Sequence, residues 1–134
     1  MSATEEAVRL ASVLARAAAE KLGTDIVALD VSQPLAITDI FLLVSAANER
    51  QVGAIVDLLD EVASRVGEPV LRREGNDENR WVLLDLGDVV AHIMQPDDRQ
   101  LYSLERLWKD APRIVLDENI PLPPGLRSII GGEA

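Results

Sequence analysis

The chain holds a single histidine, His92, and no cysteine. Disulfides, thiolate catalysis, Cys-based zinc or iron centres and multi-His metal sites are therefore excluded. A lone imidazole among apolar neighbours fits a packed or interface residue better than an acid–base catalyst. Asp25 and Asp30 bracket one apolar run, Asp39 opens another, and Asp85 and Asp88 flank a Gly-Asp turn. Such carboxylates suit magnesium, or more commonly cap turns and strand edges. Neither a P-loop nor a Gly-x-Gly-x-x-Gly run is present. Ser45-Ala46-Ala47-Asn48 offers backbone N–H groups at a strand-to-helix junction, but without glycine the close approach of a phosphate is hindered. Arg72, Arg73 and Arg80 form the basic cluster nearest the expected sheet, either a solvated loop flank or a rim that touches RNA. No catalytic set, cofactor or metal site is expected.

The elements that position these residues follow from periodicity. Ala7, Leu10, Ala11, Leu14, Ala18 and Leu22 recur at helical spacing and predict a helix from about Thr4 to Leu22, with Ser2 and Glu5 as a capping box. Asp25–Val31 and Asp39–Ser45 read as strands, antiparallel if adjacent because the link is too short for a parallel crossover. Asn48, with Gln51 in the capping-box position, starts a second helix whose stripe runs from Val52 to Val66 and ends at Gly67. A strand around Val70–Arg73 is expected next, parallel to the preceding one. After the polar loop at 74–79, Trp81–Leu86 and Val89–Met94 form a hairpin turning at Gly87-Asp88. Residues 97–111 predict one or two short helices. The expected fold is α/β (α+β): a mixed sheet of about five strands with flanking helices. It divides into a domain at 1–111 and a Pro/Gly-rich tail at 112–134, extended or disordered unless it docks.

The hairpin register pairs Trp81 with Met94, Leu83 with His92 and Asp85 with Val90. One face then carries Val82, Leu84, Leu86, Val89, Ala91 and Ile93, all aliphatic, and should lie against the helices. The other carries Trp81, Leu83, Asp85, Val90, His92 and Met94. Large adaptable apolar groups with one carboxylate and one imidazole make a composition suited to a protein partner. Alternatively, helices cover this face too, with Asp85 and His92 at its rim.

The chain has 134 residues, 48% of them hydrophobic and only 3% aromatic, enough for one domain with an aliphatic core. Its formal charge is −10, from 23 acidic and 13 basic residues. That balance disfavours general nucleic-acid binding and suits a basic protein partner, or simply solubility. Acidic residues follow Met1 where a signal peptide needs basic ones, and no run approaches the roughly 20 apolar residues of a membrane span. A cytoplasmic location is expected.

Three segments together resemble the ribosomal silencing factor (Iojap) family: "DIVALDVSQPLAITDIFLLVSAANERQVGAI", "EGNDENRWVLLDLGDVVAHIM" and "DDRQLYSLERLW". The resemblance implies a fold similar to a nucleotidyltransferase core without its catalytic motif, since Ser45 is followed by Ala46-Ala47. It also implies binding to the large ribosomal subunit through ribosomal protein L-fourteen, with small-subunit joining blocked and translation lowered when nutrients are scarce. The family's Trp-Val-Leu-Leu-Asp strand falls on Trp81–Asp85. Ile40, Leu86, Met94 and Leu101 stand where relatives often carry Tyr or Phe. Two alternatives remain at this level: a residual nucleotidyl or phosphoryl transferase using Asp30, Asp39 or Asp85 with magnesium, and a homodimeric interaction protein whose sheet face pairs with itself.

Overall fold

The computed structural model describes residues 2–75, 78–102 and 104–126, with 101 and 102 described by backbone alone. Asn76, Asp77 and the tail beyond 126 lie outside the described residues. In chain order the elements are α1 (Glu5–Glu20), β1 (Thr24–Asp30), β2 (Ile40–Ser45), α2 (Glu49–Arg65), β3 (Arg72–Gly75), β4 (Trp81–Asp85), β5 (Val89–Met94), α3 (Pro96–Tyr102) and α4 (Leu104–Leu107). One five-stranded mixed sheet is formed, in the order β1-β2-β5-β4-β3. Among the described strands, β2 and β5 pair in parallel and the other neighbours antiparallel.

The helix ends show local chemistry at work. Thr4, not Ser2, caps α1: its hydroxyl accepts from the Ala7 amide at 3.0 Å. Asn48 caps α2 as expected, accepting from the Gln51 amide at 2.9 Å, while the Gln51 side chain reaches back to the Ala47 amide. Both helices end with a 6→1 and a 5→2 hydrogen bond around a left-handed residue. In α2 that residue is Gly67, at φ +83°; in α1 it is Leu22, at φ +67°. Gly23, one position late, answers a different need. A β-carbon there would stand 2.9 Å from both the Ala18 carbonyl oxygen and a Val44 methyl.

The strand after α2 keeps the expected direction but begins two residues later than expected. It lies at Arg72–Gly75 and runs in the same direction as β2, but it is not β2's neighbour, because β5 and β4 stand between them. The reason is compositional. All four residues of β3 are exposed, two arginines and a glutamate among them, so it suits an edge. Val89, Ala91 and Ile93 of β5 are fully buried and suit the centre. The hairpin register is as expected from Trp81↔Met94 to Asp85↔Val90, with Gly87 at φ +88° in the turn.

The sheet has two unequal faces. Ala28, Ile40, Leu42, Val44 and the six aliphatic hairpin residues pack against α1 and α2 in the main core. A smaller cluster on the other side gathers Leu29, Val31, Leu43, Met94 and Leu104, with Phe41, Trp81 and Trp108 at its edge. Residues 112–126 dock along the molecule. The Pro112 carbonyl accepts from the Asp30 amide, and the Ile114 amide donates to the Ala28 carbonyl. Ile114, Leu116, Ile120 and Leu122 pack on the main core and Leu126 is buried in it. Arg16 and Arg65 donate to the Ile120 and Pro124 carbonyls.

Candidate functional site

Strand pairing sets three rows across the second face. Leu29, Phe41, Val90, Asp85 and Arg72 form one; Val27, Leu43, His92, Leu83 and Glu74 form the next; Ser45, Met94 and Trp81 form the third. Among the described residues, Leu104 of α4 and the following Trp108 and Ala111 pack with the β1–β2 side, Met94 and the edge of Trp81. The six residues expected to meet a partner therefore divide. Met94 has no accessible surface and His92 is 5% exposed. Neither fits direct contact, because Met94 packs with Leu104 in the smaller cluster and the Phe41 and Trp81 rings close on His92. Trp81, Leu83, Asp85 and Val90 are half-buried and remain together as one open strip.

His92 is the centre of an aromatic enclosure. The Trp81 indole Nε1–H donates to His92 Nδ1 at 3.1 Å, which leaves the imidazole proton on Nε2. Phe41 meets the imidazole edge-on with centroids 5.0 Å apart, and Trp108 meets Phe41 in the same way at 5.4 Å. Nε2 is buried without a hydrogen-bond partner among the described residues. Burial pushes the His92 pKa down to about 4, so the ring is neutral at ordinary pH and acts here as a packed group. Phe41 and Trp108 stand out in the sequence as two of its few large rings, but nothing there places them beside His92. The signal was the pairing of β2 with β5, which periodicity alone did not fix.

The acidic residues have structural roles. Asp85 Oδ1 accepts from the Gly87 amide at 2.9 Å and steadies the hairpin turn. Asp30 accepts from the Ala3 amide and from both the amide and the hydroxyl of Ser32. Burial alone would raise its pKa, but these bonds hold it below the ordinary value. Asp39 accepts from the Thr4 amide. Among the described residues no three His, Asp or Glu side chains gather where a metal ion could sit. The basic cluster is likewise engaged: Arg72 with Glu74 and Asp85, Arg73 with Asp57, and Arg80 with Asp98.

Arg99, which sequence reasoning missed, fixes α3 and α4 to the sheet. It is 7% exposed and donates to the Asp25 carbonyl, to Ser45 Oγ at 2.9 Å and, through two nitrogens, to Glu105 at 3.1 and 2.9 Å. That paired contact holds the Glu105 carboxyl below its ordinary pKa. Ser45, the one hydroxyl at the strand-to-helix junction, is thus committed to an arginine.

Residues 4–127 match the family model described as "Ribosomal silencing factor during starvation". The chain belongs to the ribosomal silencing factor family. It is 43% identical over 105 residues to the ribosomal silencing factor RsfS of Bacillus subtilis, covering 78% of this chain and 89% of that one. Over 87 residues it is 32% identical to the mouse protein named "Mitochondrial assembly of ribosomal large subunit protein 1", covering 63% of this chain and 38% of that one. A crystal structure of a Bacillus halodurans protein superposes with a TM-score of 0.70 at 38% identity, covering 84% of this chain and all of that one. The match to the silencing-factor model extends through the docked tail, beyond the segments that carry the resemblance in the sequence. No described helix is long and apolar enough to cross a membrane.

Proposed function

We propose that this silencing factor acts in the cytoplasm as a steric, non-enzymatic block. It binds the large ribosomal subunit through ribosomal protein L-fourteen and keeps the small subunit from joining, lowering translation when nutrients are scarce. The observation that carries the reading is the half-buried strip Leu83, Asp85 and Val90, with Trp81 at its edge against the smaller cluster, a set of apolar groups with one carboxylate. Its composition suits an interface in which a few side chains supply most of the binding energy. The net charge of −10 favours a basic partner and steers the encounter. The relatives' names add a ribosomal context, and that of the mouse protein specifies the large subunit.

Sedimentation of purified subunits tests this. Joining should fall in proportion to added protein and stop near one copy per large subunit; full suppression at a small fraction of that ratio means turnover and overturns the steric account. Leu83→Ala combined with Asp85→Asn should weaken binding to L-fourteen by about 2 kcal/mol, roughly thirtyfold. The Asn side chain can still accept from the Gly87 amide, so the hairpin turn is kept. Unchanged binding by a folded double variant places the interface elsewhere. The strip also suits pairing between two copies, which would make a free homodimer the resting form; dimer dissociation on adding L-fourteen is the expected sign.

A further inference from the structure

A second concavity lies away from the strip, where β2 and β5 end side by side at Ser45 and Met94. It measures about 580 Å³, and Ser45, Arg99, Gln100, Arg106 and Arg113 contribute to its walls. Ligand crevices form readily beyond the carboxyl ends of parallel strands whose onward connections diverge. Here β2 leads to α2, packed on the main core, while β5 leads through α3 to α4, packed on the smaller cluster.

The charge of this cleft runs against that of the molecule. Three arginines line it with only Asp25 and Glu105 as carboxylates, a positive surplus in a chain of net −10. Glu105 is already held by both faces of the Arg99 fork. Arg106 and Arg113 are exposed and make no ion pair within 4 Å of any described residue, unlike Arg72, Arg73 and Arg80, although Arg113 is near enough to Glu105 to help hold that carboxyl below its ordinary pKa. Arg99, its charge matched by Glu105 and its other nitrogen locked by the Asp25 carbonyl and Ser45, adds a fixed guanidinium to the wall, and the unmatched charge is that of Arg106 and Arg113.

We propose that this cleft binds a phosphate group, gripped by Arg106 and Arg113 against the Arg99 wall. Guanidinium forks match phosphate oxygens in geometry and charge. Recognition falls to side chains because the Ser45–Asn48 junction has no glycine to let its backbone close around the group. Two sources share this chemistry: a free phosphorylated metabolite and an RNA backbone.

Amide chemical shifts of the intact chain, followed by NMR, test the proposal with three probes: inorganic phosphate, adenosine monophosphate and a short RNA with phosphodiesters only. Phosphate should move the Ser45, Gln100 and Arg106 amides saturably, where sodium chloride at matched ionic strength does not. Arg106→Ala with Arg113→Ala should weaken this about tenfold with an unchanged melting temperature. Arg106→Glu alone, at an exposed position, serves as the second variant and should weaken it too. Tighter binding of the mononucleotide than of the RNA assigns the site to a small molecule, and the reverse order assigns it to RNA. Absence of saturable shifts with all three probes, or undiminished affinity in both folded variants, overturns the proposal.

Discussion

The Trp81–His92 hydrogen bond joins the open strip to the covered part of the same sheet face. A neutral imidazole buried among Phe41, Trp81 and Trp108 titrates only near pH 4, whereas in the unfolded chain it titrates near the ordinary 6.5. Between those values the unfolded state carries one more proton than the native state. Stability therefore rises with pH across the window and falls as pH drops from about 6.5 towards 4. The full effect is about 3 kcal/mol for a shift of this size. Urea unfolding at pH 7 and pH 4.5 should show a larger loss for the wild-type chain than for His92→Phe, which lacks the titrating ring; equal losses contradict this account. The identity of the packed face was legible in the alternation around Trp81–Asp85 and Val89–Met94. What could not be read was that Met94 and His92 are buried: a four-residue helix such as α4 has too little periodicity to show that Leu104 joins Met94, and the closing of Phe41 on His92 depends on which strands pair.

At the scale of the element, the two long helices close with the same hydrogen-bond pattern on different residues. Leu22 takes the left-handed conformation with its side chain 76% exposed, so it bears the strain of a β-carbon there without returning packing. Leu22→Gly should raise stability by about 0.5–1 kcal/mol, the relief exceeding the extra freedom given to the unfolded chain. Gly23→Ala should lower it by about 1–3 kcal/mol, because its methyl meets the backbone oxygen of Ala18 as well as Val44. Thermal unfolding of the two variants, compared with the parent, checks both signs. In the sequence Gly23 and Gly67 look like equivalent helix stops, and the helices they end were legible from their apolar stripes. Their distinct duties depend on which strand passes nearby, and that belongs to tertiary structure.

The tail shows how far the whole molecule exceeds its sequence pattern. Prolines 112, 121, 123 and 124 suggest a loose segment, yet Leu126 is buried and four more apolar side chains rest on the main core. Backbone bonds to β1 and arginine contacts from both long helices hold it there. Ending the chain at Ala111 should cost about 3 kcal/mol or more, given what each buried aliphatic side chain contributes, and should lower the urea midpoint accordingly. An unchanged midpoint would mean the docked tail is only a passenger. The pairing of β2 with β5 has a consequence in time. Ile40 lies beside Val89, so the middle of the sheet cannot close until the β4–β5 hairpin has been synthesised and has entered between two strands made before it. Until then β2 presents a bare apolar edge, and β3 has no ladder to join. Such late, non-local closure slows folding, and it makes arrival of the hairpin the step at which a nascent chain stops being prone to stick to its neighbours.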